Sequence, residues 1–219
     1  MAARAINFDR LAPHYDWLEA LGAGQLMQQA RTRWLDELAG SREVLSIGEG
    51  HGRFAEAFVR RFPAAHLTCV DASPRMLAKA QQRVARVRGA AATASTTWIQ
   101  AELPAWKPPA RRYDTLVTCF ALDCLSPAQL EDAIPALSCG ATDTAQWLHV
   151  DFTLPASGFA RARARLIERS LYAFFRATTH IPASHLVAVD PLLTAAGFAR
   201  VRHDTFSFGL VSAELWRRT

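Results

Sequence analysis

The chain has 219 residues, half of them hydrophobic and a fifth charged, with eleven glycines and eleven prolines. That composition excludes a disordered, collagen-like or coiled-coil chain, and the length suits one domain with a sizeable core. The net charge of +5 comes almost wholly from 23 arginines against two lysines, Lys79 and Lys107.

The arginines are scattered except around 161–176, whereas a nucleic-acid binder gathers its basic residues into a stripe, so a nucleic-acid partner is disfavoured. No apolar run reaches the roughly 18 residues needed to cross a bilayer. The opening MAARAINFDRLAPHYD lacks the apolar stretch of a secretory signal, so the expected location is the cytoplasm. Cys69, Cys119, Cys124 and Cys139 have no metal or redox spacing. Reduced thiols are expected, with Cys69 and Cys119 as small buried hydrophobes in strands, and no metal.

In chain order, the first forty residues read as two helices. Phe8, Leu11, Tyr15 and Leu18 recur at spacings of three and four, as do Leu26, Met27, Ala30, Trp34, Leu35 and Leu38 in a second stretch. Gly40-Ser41 closes this segment. EVLSIG (43–48) then reads as a strand and GRFAEAFVRRF (52–62) as a helix. HLTCVD (66–71) is a second strand, followed by a helix with Ser73 at its N-cap and Pro74 in its first turn. GAAATAS (89–95) is a loop. Strands follow at 96–100, 113–120 and 144–152, with a Ser-Pro helix start at 126 between the last two. A long helix spans 159–178, a short one lies near 191–196, and 199–204 and 208–216 close the chain as strands. The connection between those two is too short for a parallel crossover, so they pair antiparallel. Alternation of this kind predicts an α/β fold, a doubly wound, mostly parallel seven-stranded sheet with the last strand antiparallel. The expected organisation is an N-terminal helical lid, 1–40, and an α/β domain, 41–219.

In VLSIGEGHGRF a strand runs into Gly48, Gly50 and Gly52 and then a helix. Glycines there allow a sharp turn and let a ligand lie against bare backbone at a helix N-terminus. The dinucleotide fingerprint G-x-G-x-x-G requires a third glycine where this chain has Arg53. A G-x-G-x-G loop suits an amino-acid moiety better than a pyrophosphate. Asp71 ends the next strand about twenty residues on, where a carboxylate can accept both hydroxyls of a ribose.

With these segments in order, the sequence resembles the class I S-adenosylmethionine-dependent methyltransferases, in particular the small-molecule and quinone-type enzymes. VLSIGEGHGRF resembles the glycine-rich first motif, LTCVDASPRML the ribose-binding second, WIQAEL the third-strand segment, and YDTLVTCFALDCL the fourth strand and its loop. FDRLAPHYDWL is similar to the family's N-terminal helix. The resemblance implies a Rossmann-like domain that binds S-adenosylmethionine and releases S-adenosylhomocysteine. It places Gly48, Gly50 and Gly52 at the methionine end, Asp71 on the ribose, and Ala72 and Met76 on the adenine. Glu102 would face the adenine amino group, Cys119 and Phe120 would border the sulfonium, and Tyr15 would act as a lid.

The family usually carries an acid two positions before the first glycine, where this chain has Ser46. Either Glu49 supplies the missing carboxylate or Ser46 holds the cofactor's amino group through water. Asp123 is the candidate catalytic residue, a helix cap being the competing role. Asp151 is a substrate candidate at the end of the fifth strand; His149 near it reads as a core residue. The stretch 159–178 combines Arg161, Arg163, Arg165, Arg169 and Arg176 with Leu166, Ile167, Leu171, Tyr172, Phe174 and Phe175. It could touch an anionic membrane surface, cover an apolar substrate, or pack on the sheet with a solvated basic face. Phe8, Trp17, Tyr172 and Phe175 are the expected apolar wall for a small hydrophobic or aromatic acceptor. Two alternatives stand beside methyl transfer: a nonenzymatic cofactor-binding or partner-stabilising module, and a nicotinamide-dependent dehydrogenase.

Overall fold

A computed structural model of the chain describes residues 24–88, 95–179, 183 and 185–219, with the side chains of 88, 171 and 174–179 excepted. The expected first helix, with Phe8, Tyr15 and Trp17, lies outside the described residues.

Seven strands form one sheet: β1 Glu43–Ile47, β2 His66–Asp71, β3 Thr96–Gln100, β4 Tyr113–Cys119, β5 Ala141–Phe152, β6 Phe198–Phe206 and β7 Val211–Arg218. Their order is β3-β2-β1-β4-β5-β7-β6. The five N-terminal strands are parallel, and β7 inserts antiparallel between β5 and β6. The helices are α1 Gly24–Thr32, α2 Arg53–Arg61, α3 Pro74–Arg88, α4 Pro127–Gly140, α5 Gly158–Thr179 and α6 Asp190–Ala195. The doubly wound, Rossmann-like fold expected from the alternation is the one observed.

Alternate residues of the central strands feed two cores. Val44, Leu67 and Val117 join Phe54 and Phe58 of α2 on one face, while Leu45, Val70 and Leu116 join Leu130 and Ile134 of α4 on the other. A central strand buried on both sides needs such a continuous apolar run. α4 starts as its sequence dictates: Ser126 caps Gln129 N, and the Gln129 side chain returns to the Ser126 N–H.

Two local expectations are corrected. The helix read across 26–38 stops at Thr32, and Leu35–Leu38 forms a separate 3₁₀ turn. Trp34 between them donates its indole N–H to Ala213 O on β7 at 3.0 Å, and Arg33 pairs with Asp204 on β6 at 2.6 Å. These tertiary contacts override the helical period. The segment expected as lid is thus packed into the domain from Gly24 onward, with Ala30 and Leu38 fully buried. The strand expected to start at Phe208 begins at Val211 instead, because Ser207, Phe208 and Gly209 all take positive φ in a tight turn.

Candidate functional site

The sheet order reverses between β1 and β4, and open α/β sheets bind ligands at that switch point, beyond the carboxyl ends of the strands. A pocket opens there, lined by the β1 loop (Gly48, Glu49, Gly50, His51), the end of β2 (Asp71, Ala72), Met76 of α3, Glu102 and Leu103 after β3, and Cys119 and Phe120 at β4.

Gly48, at φ +65°, closes β1 by donating its N–H to Val70 O at 2.8 Å, and a Cβ here would lie 2.5 Å from Ala121 Cβ. Nothing stands within 4 Å of a Cβ built on Gly50, which faces the open pocket. Gly52 lies outside the lining: it precedes α2, and its missing side chain lets Ala80 of α3 approach.

Asp71 holds the loop from across β2. Its Oδ2 accepts Gly50 N–H and its Oδ1 accepts Ser73 N–H, both at 2.8 Å. A carboxylate oxygen can accept more than one hydrogen bond, so these bonds do not bar Asp71 from meeting a ligand hydroxyl. Ser46 and Glu49, read as alternatives from the sequence, meet each other: Ser46 Oγ donates to Glu49 Oε2 at 2.5 Å, and Ala55 N–H donates to Oε1 at 2.8 Å. Burial pushes the Glu49 carboxyl up to about 7, against the opposing pull of those two bonds and of Arg31.

Arg31 is a lining residue that sequence reasoning missed. It sits in the last turn of α1, only 7% exposed, with its guanidinium 4.8 Å above the Phe120 ring. No hydrogen bond or ion pair to it occurs among the described residues, an arrangement that is costly for a buried cation without a ligand. Nothing set it apart in a chain of 23 arginines. His51 was missed likewise; it is buried in the loop and accepts from Arg53 Nε at 3.2 Å.

Past Phe120, the 3₁₀ turn Leu122–Cys124 carries Asp123 to Asp151 at the end of β5. Asp151 Oδ2 accepts Asp123 N–H at 3.2 Å, and its Oδ1 accepts Phe152 N–H at 2.8 Å. Burial raises both, and the Asp123 charge raises Asp151 further. Tyr172 of α5 donates its hydroxyl to Asp123 O at 2.8 Å, so it braces the turn and is not among the cofactor-pocket lining. Cys119 is buried and its thiol is pushed up by desolvation, which makes it a wall and not a nucleophile. Phe8, Tyr15, Trp17 and the Phe175 side chain lie outside the described residues. Among the described residues no cluster suited to a metal occurs, and no helix is long and apolar enough to cross a membrane.

Residues 44–139 match a family model described as a methyltransferase domain. The demethylmenaquinone methyltransferase of Chlamydia felis is 37% identical over 79 residues, 35% of this chain and 33% of that protein. The match therefore spans a third of that curated relative's length. Among solved structures, the mitomycin 7-O-methyltransferase MmcR superposes with a TM-score of 0.69 at 16% identity, covering 97% of this chain and 61% of the other. The 1,6-didemethyltoxoflavin-N1-methyltransferase of Burkholderia thailandensis gives 0.62 at 16% identity, covering 100% and 92%. At such identities the structural likenesses show the fold. Residues 44–139 thus match a methyltransferase domain, and the fold of the chain is the one these methyltransferase structures share.

Proposed function

We propose that the protein transfers a methyl group from S-adenosylmethionine to a small acceptor with a hydrophobic or aromatic body, with S-adenosylhomocysteine as product. The observation that carries this reading is the pair at the glycine loop, the buried Arg31 guanidinium, with no hydrogen-bond partner among the described residues, and the buried Glu49 carboxyl. An α-amino-acid end offers a carboxylate to the first and an ammonium to the second, which a pyrophosphate does not. Asp71 lines the pocket at the end of β2, where its carboxylate can meet the ribose, and Ala72, Met76 and Leu103 give the base an apolar bed with Glu102 at its edge. The names of similar proteins, a demethylmenaquinone, a mitomycin and a 1,6-didemethyltoxoflavin methyltransferase, add support for a small acceptor.

Bound there, the cofactor supplies an electrophilic methyl on a sulfonium sulfur. The chain's part is to align the acceptor, keep water out behind Cys119 and Phe120, and take up the acceptor's proton. The Asp123–Asp151 pair suits the last task, since a raised carboxyl is a better base than one with an ordinary value. A cytoplasmic location belongs to this reading, supported by four free cysteines. So does a peripheral contact of α5 with anionic lipid, supported by exposed Phe159 and Leu166 on a helix that also carries Arg165 and Arg169. Retention on anionic but not zwitterionic vesicles is its test.

Titration calorimetry should show binding of S-adenosylmethionine and S-adenosylhomocysteine and none of NAD. Methyl-labelled cofactor should then mark phenolic, quinone-like or nitrogen-heterocyclic acceptors in a panel. Preferential NAD binding would instead support the dehydrogenase alternative, and tight cofactor binding without turnover on any acceptor a nonenzymatic module.

A further inference from the structure

A second cavity of about 430 Å³ begins at the Asp123–Asp151 pair and follows one face of β5, β7 and β6. Strand register explains its chemistry. Asp151 lies opposite Ser212, and His149 opposite Glu214, which in turn lies opposite His203. One sheet face is therefore polar here, roofed by the segment 186–191 with Asp190 at the start of α6.

Four carboxyls line the cavity, those of Asp123, Asp151, Asp190 and Glu214, while Arg200 is its one permanent cation among the described residues. Arg200 is shared, reaching Asp190 at 2.6 Å and Glu214 at 3.1 Å. Glu214 is 4% exposed and also accepts the Trp216 indole N–H at 3.0 Å. An independent sign of a ligand comes from His149, which is 4% exposed and lines the cavity. Its Nδ1 meets Thr118 Oγ1 at 3.1 Å, and that hydroxyl also accepts the Trp147 indole N–H at 2.9 Å. Its Nε2 has no partner among the described residues. A buried imidazole with one nitrogen left over calls for a hydrogen bond from outside the protein. The cavity is large enough for a small molecule. It adjoins the first pocket, since Asp123 lines the one and the adjacent Cys124 the other.

We propose that this cavity binds the basic end of the acceptor, a protonated amine facing Asp190 and Glu214 with a neighbouring polar atom on His149 Nε2. The inference deepens the methyl-transfer reading and rests on it for the role of the bound molecule. It makes the acceptor an amine with an apolar body, held so that its far end passes the carboxyl pair toward the methyl.

The test is binding of phenethylamine, phenethyl alcohol and phenylacetate to the intact protein with S-adenosylhomocysteine present, by ligand-observed NMR and calorimetry. Phenethylamine should bind at least about tenfold more tightly than the neutral alcohol, the size expected of one charge-assisted hydrogen bond, and phenylacetate should not bind. Asp190→Asn and Glu214→Gln should each reduce the amine preference several-fold, with S-adenosylhomocysteine affinity unchanged. Equal binding of amine and alcohol, no binding of the amine, or a preference that survives both substitutions would overturn the assignment. Failure of S-adenosylhomocysteine to bind while the amine preference stands would refute methyl transfer and leave the amine site in place.

Discussion

Asp71 and Glu49 brace the glycine loop and, in the proposed reading, also meet the ligand. Asp71→Ala removes the acceptor of Gly50 and Ser73 N–H and, in that reading, the anchor for the ribose. Calorimetry should show cofactor binding weaker by about 2 to 4 kcal/mol, the range for two charge-assisted hydrogen bonds, and wild-type affinity would refute the ribose assignment. Glu49 carries a pH prediction. Its carboxyl titrates at about 7 when buried, and an arriving ammonium favours the ionised form. Below that pH, binding must expel a proton, so affinity should fall with acidity, approaching roughly tenfold per unit. Glu49→Gln should flatten the profile and weaken S-adenosylmethionine and S-adenosylhomocysteine alike. An affinity for the wild type that stays constant from about pH 7 down to about pH 5 would return Glu49 to a structural role.

Between elements, the third glycine of the loop has a packing task distinct from its neighbours. A Cβ on Gly52 would lie 2.6 Å from Ala80 Cα and 3.2 Å from Ala80 O, backbone atoms of α3 that cannot swing aside, and its φ is +87°. Gly52→Ala should therefore cost about 3 kcal/mol in urea unfolding, combining overpacking with a left-handed backbone. Gly50→Ala, facing open space at φ +61°, should cost about 1 kcal/mol. Equal losses would contradict the α2–α3 contact. The glycine pattern was legible in the sequence, yet the division of labour among the three was not, because Ala80 reaches Gly52 only through the packing of two helices. For the same reason, strands and their order of types followed from apolar runs and Ser-Pro starts. The break after Thr32 did not, since it depends on Trp34 finding a carbonyl on β7, a strand 179 residues away in sequence.

Across the whole molecule, the acids at strand ends were visible as candidates one by one, but their coupling was not. Asp123 and Asp151 are 28 residues apart and meet only because β4 and β5 are adjacent. Their joint burial, with that of Glu49 and Glu214, sets the pH dependence of stability. A carboxyl whose value is raised by folding is held ionised at a cost above that value, and the cost is relieved as pH falls toward its unfolded value. Glu49, Asp123, Asp151 and Glu214 all act in this direction, each raised first by burial. His149 acts oppositely: burial lowers it to about 4, so stability is lost as pH falls from about 6.5. Four groups outweigh one, so the melting temperature of the free protein should be higher near about pH 5.5 than near about pH 7.5, reversing the near-neutral maximum usual for proteins. Saturating S-adenosylmethionine should shrink the difference, because in the proposed reading its ammonium keeps Glu49 ionised. Calorimetric scans with and without ligand measure both effects, and a free-protein melting temperature that rises steadily from acid to pH above 7 would show that these carboxyls are not buried as described.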